Sequence, residues 1–153
     1  MNQVLEAQKI LEDKYNVAAD VWSVTSYTEL RKDALHVERF NILNPTQKPK
    51  IPYVSEKLSN KGDAYIFASD NMKALPDGLA KWLPGPYVSL GTDGFGRSDS
   101  RQALRDFFEV DARHIAFASL GALSKQKKIP STLVNQAAKD LKINPKKLNP
   151  MVS

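Results

Sequence analysis

An α/β domain with a mostly parallel sheet is predicted by three features of the sequence. Short apolar runs at Ala18–Thr25, Ala64–Ala68 and Tyr87–Leu90 are rich in strand formers. The last two do not alternate cleanly, as strands covered on both faces do not. Segments of helical period separate these runs, and strands alternating with helices point to this class.

In chain order, Val4, Ala7, Gln8, Leu11 and Tyr15 share one helical face, and Asn16 is placed to end that helix. The first predicted strand, Ala18–Thr25, follows and contains Trp22. Ser26-Tyr27-Thr28-Glu29 matches a capping box and opens a helix with Leu30, Ala34 and Val37 inward. Residues Asn44–Pro52 hold three prolines without periodicity and read as a loop. A short helix is expected over Val54–Leu58. Between the second and third strands, Asn71–Leu83 reads as a helix interrupted or kinked at Pro76. After Leu90 comes the turn Gly91-Thr92-Asp93-Gly94-Phe95-Gly96. Ser98, Asp99 and Ser100 are N-cap candidates for a helix bearing Leu104, Phe107 and Phe108. Asp111 caps another helix, with Ile115, Ala118, Ala122 and Leu123 inward. A last helix carries Val134, Ala137, Ala138 and Leu141 and stops before Pro145. Trp22 and Trp82 are expected in the core.

The length, 153 residues, is that of one domain with a tail at 142–153, long enough for a core without disulfides or metal. Cysteine is absent. That excludes a disulfide scaffold, thiol catalysis and thiolate-bound metal, and it agrees with a cytoplasmic protein. No apolar run has the length of a membrane span, and no signal-peptide pattern is present, so no membrane association is expected. The net charge is +5, and residues 125–153 carry seven lysines against one acid. A basic tail suits an acidic partner or nucleic acid. This tail lacks arginine and interleaved aromatics, so stacking platforms for single strands are missing and no nucleic-acid partner is expected. A solvated helix face is the plainer account.

No catalytic, cofactor-binding or metal-binding residue emerges from the motifs. Gly91-x-x-Gly94-x-Gly96 sits where a phosphate loop would, but is neither the dinucleotide fingerprint nor the Walker pattern. Thr92-Asp93-Gly94 is faintly similar to the Gly-Asp-Gly of thiamine-diphosphate signatures. Its first glycine is replaced by Thr92, and no Asn-Asn pair follows. His36 and His114 stand alone and read as surface or capping residues. There is no Gly-x-Ser-x-Gly elbow, and Asp93, Asp99 and Asp106 have no evident partner. The residues singled out as a structural turn or interface are Gly91, Asp93, Gly94, Phe95, Gly96, Arg97, Ser98 and Asp99. One or more of these glycines is expected at positive φ, with Phe95 packed inward or against a neighbouring domain.

Several segments carry a resemblance: Val21-Trp22-Ser23-Val24-Thr25-Ser26, Glu38-Arg39-Phe40-Asn41, Pro52-Tyr53-Val54, Tyr87 through Asp99, and Phe107-Phe108-Glu109-Val110-Asp111. With them the chain resembles the C-terminal domain of homodimeric-type pyruvate dehydrogenases. Transketolases are looser matches, through Asp93-Gly94-Phe95-Gly96. The resemblance implies a three-layer α/β/α fold on a five-stranded mixed sheet. It implies a non-catalytic domain that holds no cofactor itself and braces the upstream domains and the homodimer. It also implies that the whole enzyme uses thiamine diphosphate and magnesium to decarboxylate pyruvate, then acetylates the lipoyl group of dihydrolipoyl acetyltransferase. The family domain begins with two strands absent here, the second of them central, so an incomplete sheet of about three strands is expected. Two other readings remain: a related thiamine-diphosphate enzyme, such as a transketolase or another 2-oxo acid dehydrogenase, and a stand-alone module that uses its basic tail.

Overall fold

The computed structural model describes residues 1–152. Its helices are α1 (Asn2–Tyr15), α2 (Tyr27–Leu43), α3 (Tyr53–Leu58), α4 (Ala74–Asp77), α5 (Arg101–Phe107), α6 (Ala112–Lys125) and α7 (Ser131–Asp140). Two strands, β1 (Tyr65–Ala68) and β2 (Tyr87–Leu90), pair in parallel with Tyr65 opposite Tyr87 and Ala68 opposite Leu90. Helix α4 and a 3₁₀ turn at Ala80–Trp82 make the crossover between them.

The helix ends follow local chemistry. Asn16 ends α1 at φ 52°, in the left-handed region that asparagine tolerates. Ser26 Oγ accepts the Glu29 N–H at 3.2 Å, which is half of a capping box. The Glu29 carboxylate completes no box, because it pairs with Lys32 at 2.7 Å. Ser100 and Asp111 cap α5 and α6 by accepting from Ala103 and His114. Helix α7 ends at Asp140 rather than running toward Pro145. Lys142 takes φ 53°, and the N–H groups of Lys142 and Ile143 turn back to the carbonyls of Lys139 and Ala138.

Alternation along β1 sets the layers. Ile66 and Ala68, with Leu90 of β2, pack toward the cluster formed by α1, α6 and α7. Phe67 points the other way and meets Tyr27 and Tyr87 edge-on, with ring centroids 6.1 and 6.4 Å away. A helix therefore covers each face, and the three-layer α/β/α expectation holds with a sheet of two strands. The core centres on α6. Its Ala112, Ile115, Ala116 and Leu120 pack with Ala7 and Leu11 of α1 and with Ala137 and Leu141. Alanines at three of these contacts let α1 and α6 approach closely. No helix among the described residues is long and apolar enough to cross a membrane.

Three expectations are corrected. Ala18–Thr25 forms no strand. Among the described residues no backbone–backbone hydrogen bond reaches 18–25, and only the Ala19 carbonyl is engaged, by the Gln8 side chain at 2.6 Å. β-Branched and aromatic residues favour an extended backbone, but a strand exists only with a ladder partner. The count is therefore two strands, not three. Trp22 lies 51% exposed instead of in the core, because no second strand lies beside it. Asn71–Leu83 is not one kinked helix. Pro76 sits in the first turn of the four-residue α4, where its missing N–H costs nothing, and the chain resumes as the 3₁₀ turn.

Truncating Leu120, which is fully buried between α1 and the sheet, leaves a cavity that the alanine-lined interface cannot close. Leu120→Ala is expected to lower stability by about 2–5 kcal/mol, whereas Ile42→Ala at an exposed position stays within about 0.5 kcal/mol. Urea unfolding of both variants checks this, and equal losses would contradict the placement of the core.

Candidate functional site

The strand ends of a parallel sheet are where loops converge, and here the loop after β1 meets the turn after β2. Residues Gly91–Asp93 are bound to 70–73. The Thr92 N–H donates to the Asn71 carbonyl at 3.1 Å, and Thr92 Oγ1 donates to the Asp70 carbonyl at 3.0 Å. Both Asp93 carboxylate oxygens lie 3.3 Å from the Lys73 N–H, and the Lys73 ammonium stands 3.8 Å away. Gly91 is needed for this approach, since a Cβ there would lie 2.6 Å from the Asn71 carbonyl oxygen.

Beyond Asp93 the chain turns outward. Gly94 takes φ 107°, and a Cβ on it would overlap the Pro150 carbonyl oxygen. The C-terminal segment thus closes against the turn. Phe95 is 79% exposed, which corrects the expectation that it packs inward within this chain. Gly94 fixes the direction of the turn, and among the described residues nothing lies within 4 Å of a Cβ position at Gly96. Arg97 lies over the Phe107 ring at 4.2 Å, and Asp99 Oδ1 accepts the Ser100 N–H at 2.6 Å. Ser98 is exposed. The structure therefore joins Gly91, Asp93 and Gly94 into an anchor, turns Arg97 and Asp99 toward α5, and leaves Phe95, Gly96 and Ser98 projecting.

A second group was not legible as a group in the sequence. Asp106, Asp111 and His114 bring ligand-type atoms within 4.8 Å of one another. Arg113 lies among them, with its terminal nitrogen 2.5 Å from a carboxylate oxygen of both Asp106 and Asp111. His114, buried, places Nδ1 2.8 Å from Asp111 Oδ1, and Lys147 approaches Asp106. Burial pushes the Asp111 carboxyl up, but hydrogen bonds from His114 and Arg113 outweigh it and hold the group well below the usual carboxylate range. The same partner raises Arg113. A divalent cation would have to displace a guanidinium that both carboxylates already hold, so the group is a joint between α5, α6 and the tail. Asp106 thus has partners that its sequence position did not reveal, and His114 is a buried, paired residue rather than a surface one. His36 is exposed.

The turn does not suit a thiamine diphosphate. The Thr92 and Asp93 side chains are engaged at its base, the Asn71 carbonyl fills the face of Gly91, and a diphosphate would face the Asp93 carboxylate with Lys73 already paired to it.

The family model described as "Transketolase-like TK C-terminal domain" matches residues 1–111. The chain belongs to this family. This transketolase-like C-terminal domain is 45% identical over 152 residues to the "Pyruvate dehydrogenase E1 component" of Pseudomonas aeruginosa, covering 99% of the chain and 17% of that relative. It is 42% identical over 155 residues to the protein of that name from Escherichia coli K12, covering 100% of the chain and 17% of the relative. For Mycobacterium tuberculosis the figures are 40% over 144 residues, 94% and 16%. The domain spans about a sixth of the length of these curated relatives. Their similarity continues past residue 111, so α6 and α7 belong with the family portion, as the packing of α6 against α1 requires.

Gly94→Val should destabilise this domain by about 1–3 kcal/mol, while Gly96→Val, at an open position, should cost far less. Thermal unfolding distinguishes them, and equal melting temperatures would contradict the anchored turn. The Asp111 contribution has a definite sign. Because the folded carboxyl lies below its unfolded value of about 4, its contribution is full above that pH and is lost as pH falls further. Asp111→Asn should therefore cost about 1–3 kcal/mol at neutral pH, and the gap from wild type should narrow below about pH 4. A gap that stays constant to pH 2 would contradict the assignment.

Proposed function

We propose that this chain acts as the non-catalytic C-terminal domain of a pyruvate dehydrogenase E1 component. In this reading it braces the other domains of that enzyme and the homodimer. The observation that carries the proposal is the 45% identity to such a component across 99% of the chain. The whole enzyme, on this proposal, decarboxylates pyruvate with thiamine diphosphate and magnesium held by its other domains. It then acetylates the lipoyl group of dihydrolipoyl acetyltransferase, in the cytoplasm.

Two structural features support a bracing role. Phe95 is exposed at the tip of a turn whose base is fixed by Asp93, Lys73 and the tail, a geometry that presents an aromatic side chain at little conformational cost. The sheet has two strands, so each keeps one open edge, and segment 18–25 has no ladder partner among the described residues. Open edges with apolar side chains are covered in native proteins. We take the remainder of the enzyme to supply that cover, with strands that complete the sheet beside β1.

The proposal is tested by exchange. Replacing the matching segment of the Pseudomonas aeruginosa component by this chain should give a dimer that retains pyruvate dehydrogenase activity. Phe95→Ser in that chimera should weaken assembly by about 1–3 kcal/mol while leaving the melting temperature of the isolated chain unchanged. Isothermal titration of the isolated chain with thiamine diphosphate and magnesium should be silent. A folded but inactive, monomeric chimera, or saturable micromolar cofactor binding by the chain alone, would count against the proposal.

A further inference from the structure

Beyond α7, residues 144–152 form two turns of the same make. Asn144-Pro145-Lys146-Lys147 and Asn149-Pro150-Met151-Val152 each put asparagine first and proline second, which is the residue chemistry of a β-turn. In each, the fourth residue donates its N–H to the asparagine carbonyl, at 3.2 Å from Lys147 and 3.1 Å from Val152. In each, the asparagine Oδ1 also accepts the N–H two residues on, at 2.9 Å from Lys146 and 3.0 Å from Met151. The segment is therefore shaped by its own residues and not by the core.

Little fastens it to the rest of the chain. Leu148, Met151 and Val152 are exposed, so it buries no large apolar side chain. Among the described residues one hydrogen bond leaves it, from the Lys147 ammonium to the Asp106 carbonyl. The same ammonium lies 3.7 Å from the Asp106 carboxylate. Lys147 keeps only 18% of its side chain exposed, against 42% or more for the other ion-paired lysines among the described residues, so this one side chain is sunk into the body. The second point of contact is Pro150, whose carbonyl oxygen fills the space beside Gly94. A gap of about 50 Å³ remains at Asn149–Met151, lined also by Gly91, Phe108 and Glu109, so the segment spans this region rather than packing closely on it.

The glycine turn depends on that second contact. The atoms nearest a Cβ at Gly94 all belong to Pro150 and Met151, whereas Gly96 has none within 4 Å and Phe95 is exposed. Local stability follows buried contacts, so a segment with two contacts and no apolar anchor opens more readily than the core. Arg113 holds one Asp106 carboxylate oxygen while Lys147 faces the other, so the catch for Lys147 stays in place when the segment lifts. We propose that residues 144–152 are a releasable strap: Lys147 latches it at Asp106, Pro150 holds the glycine turn at Gly94, and release of the latch frees Phe95 to move. The inference concerns this chain's own tail and turn and does not rest on the assignment of the whole enzyme.

Backbone amide relaxation of the full chain, measured by NMR, reads the strap and the turn separately. In the wild type, order parameters at Gly94, Phe95 and Met151 should lie near the rigid value of about 0.85. Lys147→Ala should drop all three below about 0.6, while the amides of α6 stay near about 0.85. Asn149→Ala alters an exposed residue and leaves the latch in place, but it removes the acceptor that shapes the turn at Pro150. It should loosen Gly94 and Met151 while Lys146 and Lys147 stay ordered, and it decides the matter should Lys147→Ala fail to fold. The proposal is overturned by unchanged order at Gly94 and Phe95 in folded Lys147→Ala or at Gly94 in Asn149→Ala. It is equally overturned by a wild-type Met151 below about 0.6, which would mean that the strap is not closed, or by loss of order that spreads through α6 in both variants.

Discussion

Burial of α6 is the constraint on which the rest of this fold depends. One side of this helix packs against α1 and α7 through Ala112, Ala116 and Leu120, and the core it anchors takes in Ile66, Ala68 and Leu90 of the sheet. A two-stranded parallel sheet has little independent stability, because its crossover closes a long loop for few ladder bonds. Here the sheet is held from one face by α6 and from the other by Tyr27 of α2 against Phe67. Removing α6 would strip the cover from the Ile66, Ala68 and Leu90 face of the sheet.

The two polar features of the domain follow from that placement. Asp111 caps α6, and the same carboxylate binds Arg113 and His114, so the start of the central helix is also the joint to α5. Lys147 brings the tail to the same joint through Asp106. From there the tail reaches Gly94 at Pro150, which closes the base of the turn after β2. The projecting Phe95 is thus mounted on a continuous chain of contacts that runs from the core through the joint and the tail. Rigidity at the base and exposure at the tip are what an interface residue requires.

Much of this was legible in the sequence because it is local. The helical period of α1, the caps at Ser26, Ser100 and Asp111, and the left-handed Asn16 depend on residues within one turn of each other. The two continuous apolar runs at β1 and β2 were legible for the same reason. The failures were non-local. Ala18–Thr25 has strand composition, yet pairing depends on a neighbour that composition does not report. The pairing of Asp106 with Lys147 spans 41 residues and left no sequence signal. Arg113, two residues past the Asp111 cap, is the local signal that points to the joint. Phe95 was identified as an interface candidate from its flanking glycines, but only the structure distinguishes the exposed Phe95 from a core residue.

On the proposed function, the core built on α6 carries sheet edges and a turn that the rest of the enzyme completes. Tyr65 and Ser69 donate toward β2, so by alternation the Ile66 and Ala68 amides point to the open edge. Hydrogen exchange of those two amides, and of Val21–Val24, tests the claim most directly, compared between the isolated chain and the chain embedded in a full E1 component. The account predicts fast exchange at these positions in isolation, slow exchange when embedded, and α6 amides protected in both. Equal protection of Ile66, Ala68 and Val21–Val24 in the two forms would contradict it.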